Sequence, residues 1–93
     1  MELIYKIYYA SAVVEEDIPA LPKTIKVRIK HAIETKLIQN PEIFGKPLRR
    51  SLAGYRKLRV GDYRIVFRVE QTKIKIFGII HRSLVYKKIE TRI

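Results

Sequence analysis

Lys57, Arg64, His81, Arg82 and Tyr86 fall within one stretch of thirty residues. They combine fixed positive charge, a ring that titrates near neutral pH and a phenol. Guanidinium groups grip phosphate through paired N–H donors, and an imidazole beside them can exchange a proton at physiological pH. The chemistry these types suit is therefore binding of a phosphodiester with proton transfer next to it. Arg56, Arg59 and Arg68 lie in the same stretch, and Arg49 and Arg50 lie just before it. These five are candidate phosphate contacts. Blander readings stand beside this one: a solvated basic face, a packing role for Tyr86, a polar strand end at His81, and simple solvation of the loop arginines.

The elements that must carry these side chains can be read from alternation. Gly61-Asp62 is a two-residue turn between runs rich in Tyr, Val, Ile and Phe, the mark of a tight hairpin. Pairing then sets Arg59 opposite Arg64 and Lys57 opposite Val66. Leu58, Val60, Tyr63, Ile65, Phe67 and Val69 share one face; Tyr55, Lys57, Arg59, Arg64, Val66 and Arg68 share the other. A second two-residue turn at Gln71-Thr72 predicts that Ile74, Ile76, Gly78 and Ile80 join the apolar face. Lys75, Phe77, Ile79 and His81 would join the cationic one. Like charges facing each other across strands are destabilising, so Arg59 opposite Arg64 reads as a face kept for polyanion.

Charge placement agrees. The 93 residues carry 20 Lys and Arg against 9 Asp and Glu, a net charge of +11. Residues 1–45 hold six of each sign, whereas residues 46–93 hold fourteen basic and three acidic side chains. An excess confined to the sheet-forming half points to nucleic acid. With no cysteine, disulfides and thiolate metal sites are excluded, and His31 and His81 are too far apart in sequence to suggest a zinc site. No metal and no small-molecule cofactor is expected.

The rest of the chain reads as one α+β domain spanning 1–93. Leu3–Tyr9 is a strand, apolar on both faces except at Lys6, which suits cover by helices. Ser11 can cap a short helix through Asp17 or Ile18, with Glu15, Glu16 and Asp17 as an acidic patch and Pro19 as its end. Pro22 opens a second helix whose Ile25, Ile29, Ala32, Ile33 and Leu37 form one apolar stripe, stopped by Asn40-Pro41. Residues 40–54 read as a connector that tucks Ile43, Phe44, Leu48 and Leu52 inward. Three antiparallel strands follow, and then a short helix or tail with Val85, Tyr86 and Ile89. Glu2 and Lys6 spoil the N-terminal run as a signal peptide, and no apolar run is long enough to cross a membrane, so a cytoplasmic protein is expected.

The proline-bounded helices, the run NPEIFGKPLRRSLAGYRKLRVGDYRIVFRV and the closing HRSLVY resemble the RelE/ParE superfamily of toxin–antitoxin toxins, and within it the RelE branch. That resemblance covers nearly the whole chain. It implies a curved four-stranded sheet that cradles messenger RNA on the ribosome and cuts it, inhibiting translation, and a cognate antitoxin that wraps the free toxin. It also implies working roles for Lys57, Arg59, Arg64, His81, Arg82 and Tyr86. Tyr55 and Ile80 stand where the bacterial RelE pattern has a lysine and an arginine. The chemistry implied is attack of a 2′-hydroxyl on the adjacent phosphorus, with His81 or Lys57 as base, Arg64 and Arg82 on the phosphate, and Tyr86 stacking on a base or donating to the leaving oxygen. Two other readings remain open: a ParE-like inhibitor of DNA gyrase, and a non-catalytic nucleic-acid-binding module.

Overall fold

The computed structural model describes residues 5–41, 46–48 and 54–92. Expectations for Leu3, Ile43, Phe44, Arg49, Arg50 and Leu52 lie outside those residues. The first strand, β1 (Lys6–Tyr9), leads into a π-helical turn, Val13–Asp17, and an α-helical turn, Ile18–Ala20, which together form α1. Helix α2 (Lys23–Ala32) continues into a second π-helical turn, Ile33–Leu37. Then come a two-residue strand β2 (Lys46–Pro47), β3 (Arg56–Val60), β4 (Tyr63–Glu70), β5 (Lys73–His81) and helix α3 (Val85–Arg92). The strand order is β1-β5-β4-β3-β2, with β1 parallel to β5 and the other pairs antiparallel.

The α+β architecture expected from the sequence is present: strand, two helices, three-stranded meander, helix. Four strands carry the sheet, and the connector adds β2, whose Lys46 pairs with Lys57 and Pro47 with Arg56. Proline is tolerated there because β2 is an edge strand. The α2 stripe is buried at Ile29, Ala32, Ile33 and Leu37 and packs on Leu58, Val60, Ile65, Phe67, Ile74, Ile76 and Ile79. Burying a side chain of that size contributes about 1.5–3 kcal/mol.

Two local expectations change. Pro19 does not end α1, which runs on to Ala20; the break comes at Leu21, whose ψ of 138° is the extended conformation that a following proline favours. Strand β1 is not covered on both sides: Tyr8 and Tyr9 are exposed, because β1 lies at the sheet edge.

The larger correction concerns the face assigned as cationic. Its middle is a second apolar cluster, in which α3 lays Val85 and Ile89 on Val66 and Ile80 beside Leu48 from the connector. Cations therefore ring a dry patch rather than filling the face.

Candidate nucleic-acid site

The β3–β4 register follows the Gly61-Asp62 turn as the sequence predicts, with Arg59 opposite Arg64 and Lys57 opposite Val66. Gly61 takes the positive φ of 59° that this turn needs. The second turn also forms: Glu70 pairs with Lys73, and Gln71 accepts a φ of 56°.

Beyond it the predicted alternation fails. Val66 pairs with Gly78 but Phe67 with Ile76, so β5 carries one extra residue, a bulge at Phe77-Gly78. Ile79 therefore enters the core under α2, Ile80 enters the cluster under α3, and Gly78 faces that second cluster too. An added Cβ on Gly78 would stand 2.6 Å from Ile80 Cδ1 and 2.9 Å from Ile89 Cδ1, so any larger residue here must displace the ends of both isoleucine side chains.

The bulge is held by a buried ion pair that sequence reasoning missed. Arg92 Nη1 and Nη2 donate to Asp17 Oδ2 and Oδ1 at 2.7 and 2.8 Å, and Nη1 also donates to the Phe77 carbonyl at 3.0 Å. The Ile79 N–H donates to Asp17 Oδ2 at 3.0 Å. Backbone groups released by the bulge thus find charged partners. Asp17 is 5% exposed, and the hydrogen bonds to it hold Arg92 above its ordinary value. A lone glycine inside a strand run is the usual sign of a bulge, so Gly78 carried the available signal. No local pattern links Asp17 to a residue 75 positions away.

His81 moves with the bulge. It pairs with Tyr63, not with the cationic row, and their rings meet edge to face with centroids 5.6 Å apart. Tyr63 packs on the α2 core, so His81 faces that side of the sheet. Its Nδ1 accepts the Ser83 N–H at 3.3 Å and lies 2.8 Å from Ser83 Oγ. The neutral ring therefore keeps its proton on Nε2.

The other expected residues divide into two groups on or beside the opposite face. Near the Gly61 turn, Arg64 Nη1 donates to the Gly61 and Tyr63 carbonyls, both at 3.0 Å. Burial, then Arg59 and Arg82, push the Arg64 guanidinium down from its ordinary value, with Asp62 opposing. It remains a cation throughout the physiological range. Arg82 is exposed, its Nε 3.8 Å from Asp62 Oδ1, and its N–H donates to the Asp62 carbonyl.

Toward the far end of β3, Lys57 Nζ lies 5.6 Å from the centre of the Tyr86 ring. The Tyr86 hydroxyl is buried and makes no hydrogen bond with any described residue. Tyr55 meets Phe77 edge to face at 5.2 Å, and the Arg68 guanidinium stands 5.5 Å from the Tyr55 ring. Arg56 alternates onto the α2 side, opposite Phe67, away from this group.

What is assembled is a shallow surface with a clamp at one end, Arg64 with Arg82, and a cation over a buried phenol at the other. Such a surface can neutralise a phosphodiester, with Lys57 placed over the ring of the buried Tyr86 phenol. Residues 8–86 match the family model described as ParE toxin of type II toxin–antitoxin system, parDE. The chain is 33% identical over 79 residues to Toxin RelE of Mycobacterium tuberculosis, covering 83% of this chain and 81% of that one. It superposes on the RelBE2 toxin–antitoxin complex of that organism with a TM-score of 0.77 and 31% identity, over 85% of this chain and 99% of the other. The RelB-RelE complex from Methanococcus jannaschii gives 0.65 and 25% identity, over 86% and 95%. In sequence and in fold the chain belongs to the RelE/ParE superfamily, as a RelE-like toxin of a type II toxin–antitoxin system.

Proposed function

We propose that the chain is an endoribonuclease that cuts messenger RNA on the ribosome without a metal ion, and that a cognate antitoxin neutralises it. The observation that carries this reading is the pairing of Lys57 with Tyr86: a phenol hydroxyl buried without a partner among the described residues, under a lysine, on the face that bears Arg64. A buried polar atom left unsatisfied calls for an explanation, and a catalytic role is one that fits here. Similarity to Toxin RelE supports the reaction class, and similarity to two solved toxin–antitoxin complexes supports the partner. A ribosomal target sets the place of action in the cytoplasm.

The reaction needs three things of the protein. The 2′-hydroxyl oxygen attacks phosphorus as its proton passes to a base; the bond from phosphorus to the 5′-oxygen breaks, and that oxygen takes up a proton. The products are a 2′,3′-cyclic phosphate and a 5′-hydroxyl. Lys57 and Tyr86 are the proton-transfer pair, and each such group contributes typically about 10²–10⁴-fold. Among the described residues the hydrogen bonds of Arg64 engage Nη1, which leaves Nη2 and Nε to donate to the phosphate, where charge builds up during attack. Arg82 adds a second positive charge, and Arg59 and Arg68 extend the track for the strand. His81, turned to the other side, positions the Ser83–Tyr86 segment through Ser83.

The test is primer-extension mapping of messenger RNA in a bacterial cell-free translation reaction. Wild-type chain is expected to give codon-phased cuts that require ribosomes, and Lys57→Ala or Arg64→Ala to abolish them while keeping the fold. Intact message with the wild-type chain overturns the proposal. The family description as a ParE toxin favours a second reading, inhibition of DNA gyrase by binding. It predicts loss of supercoiling in a purified gyrase assay and no RNA products.

A further inference from the structure

Tyr55, which immediately precedes β3, has no part in the chemistry above, yet its ring is braced on the α3 side of the sheet. Its carbonyl accepts the N–H of the buried Leu48 at 2.9 Å, which ties it to the connector. The ring meets Phe77 edge to face at 5.2 Å, with 77° between the planes. Phe77 belongs to the bulge, and Arg92 donates to its carbonyl at 3.0 Å. Tyr55 is only half-buried, because it packs on the rim of the cluster under α3 rather than inside it.

The charges around this ring differ from those at the clamp. The Arg68 guanidinium stands 5.5 Å from the ring centre. Glu70 meets both cations of the row, Oε1 3.7 Å from Arg68 Nε and Oε2 2.8 Å from Lys75 Nζ. That carboxylate would repel a phosphate seated here, whereas an uncharged nucleobase escapes the repulsion. Aromatic rings and guanidinium planes are the surfaces on which unpaired bases stack. Lys57 follows two residues along the same face, about 7 Å at the rise of a strand, so a base on Tyr55 neighbours the phosphate at Lys57.

We propose that Tyr55 and Arg68 form a base-stacking subsite, which seats the nucleobase beside the scissile phosphate between phenol ring and guanidinium and favours a purine there. The proposal rests on the ribonuclease reading above and deepens it. The resemblance to RelE implies no such role, since a lysine stands at this position in that pattern. A sandwiched base needs about 6.8 Å, two stacking steps of about 3.4 Å. Arg68 supplies the difference: it is exposed, on a flexible side chain, and lifts off the ring while Tyr55 stays braced. A purine overlaps the ring more than a pyrimidine does, so stacking strength sets the preference without hydrogen bonds to base edges.

The experiment programs ribosomes with a short message whose target codon carries 2′-deoxyribose, so that it stays uncut, and 2-aminopurine at each codon position in turn. Stacking quenches the fluorescence of this base. After thermal melting has shown the variants folded, wild-type chain and Tyr55→Phe are expected to quench it at one position. Tyr55→Leu should lose that quench and Tyr55→Trp deepen it. Tyr8→Leu is the control: Tyr8 is an exposed ring with the Lys73 Nζ 5.9 Å from its centre, but it lies on the edge strand β1 and should match wild type. On all-ribose messages, the efficiency of cutting beside a purine should fall about fivefold or more in Tyr55→Leu, the low end for one base–aromatic stack. The preference for purine should vanish with it, and both should persist in Tyr55→Phe. A quench unchanged in Tyr55→Leu, or lost equally in Tyr8→Leu, overturns the subsite. So does loss of antitoxin affinity in Tyr55→Leu with the quench intact, since a protein is then the occupant. Should Tyr55→Leu not fold, Tyr55→Trp decides, and a shallower or unchanged quench there overturns the subsite. If wild-type chain quenches through Tyr55 but cuts no ribose message, the nuclease reading falls and the subsite stands. If it cuts message and the quench ignores Tyr55, the subsite alone falls.

Discussion

Replacing Asp17 with Ala tests the buried pair most directly. The side chain of Asp17 is 3% exposed and that of Arg92 13%, so the substitution leaves a guanidinium with little water and deprives the Ile79 N–H of its acceptor. Removing one partner of a buried pair costs about 3–5 kcal/mol, and an orphaned buried N–H about 1–3 kcal/mol. The two overlap here. Arg92 also keeps the Phe77 carbonyl and has Glu16 3.6 Å away, which argues for the lower end, about 3 kcal/mol. Against a total of about 5–15 kcal/mol for a chain of this size, that is a large loss. It corresponds to a fall in melting temperature of roughly 12–24 °C. Urea unfolding monitored by circular dichroism measures the loss, and amide exchange at Ile79 should accelerate in the same variant. Adding Arg92→Ala should cost less than the sum of the single substitutions, since both remove the same contact. A loss below about 0.5 kcal/mol for Asp17→Ala, the size of an ordinary surface change, would refute the reasoning.

Three further outcomes follow from other contacts. Tyr86→Phe removes a buried hydroxyl without a described partner, so stability should hold or rise by up to about 1 kcal/mol while cleavage falls by about tenfold or more; equal activity would return Tyr86 to a packing role. Gly78→Ala drives a methyl into Ile80 and Ile89, and should cost about 1–3 kcal/mol by chemical denaturation, with exchange in α3 rising first. Lys75 Nζ lies 2.8 Å from Glu70 Oε2, and that hydrogen bond and charge lower the carboxyl from its ordinary 4.5. Because the folded value is the lower one, this contact's stabilisation is present at neutral pH and fades as pH falls through the depressed midpoint. NMR titration should place Glu70 below 4.5 and higher in Lys75→Ala; the same midpoint in both would remove the contact from the account.

The sequence was most legible where one residue type decides local geometry. Gly61 needed a positive φ, and from it the whole β3–β4 register followed, Arg59 opposite Arg64 included. The α2 stripe was legible because a helix must bury one face, and Ile29, Ala32, Ile33 and Leu37 are buried. Alternation failed at Phe77-Gly78, because a period of two carries no record of an inserted residue and Ile79-Ile80 satisfies either face. That single slip moved His81 off the cationic row, whereas Lys57 and Arg64, which precede the bulge, kept their predicted face. The apolar patch beneath α3 was hidden for another reason. Leu48 and Val66 are distant in sequence from Ile80, Val85 and Ile89, and only the docking of a helix makes them one cluster.

The Asp17–Arg92 pair also bears on the order in which the molecule assembles. The hairpins of β3, β4 and β5 join near neighbours, so their loops close at small entropic cost. By contrast, β1 must find β5 across the span from Lys6 to Lys73, and Asp17 must find Arg92 across 75 residues. Contacts of such separation become favourable only after the meander exists to receive them, and they set the pace of folding. In reverse, release of α1 and release of α3 are coupled, because a single carboxylate holds both Arg92 and the Ile79 N–H at the bulge. Opening either end of this chain therefore loosens the other.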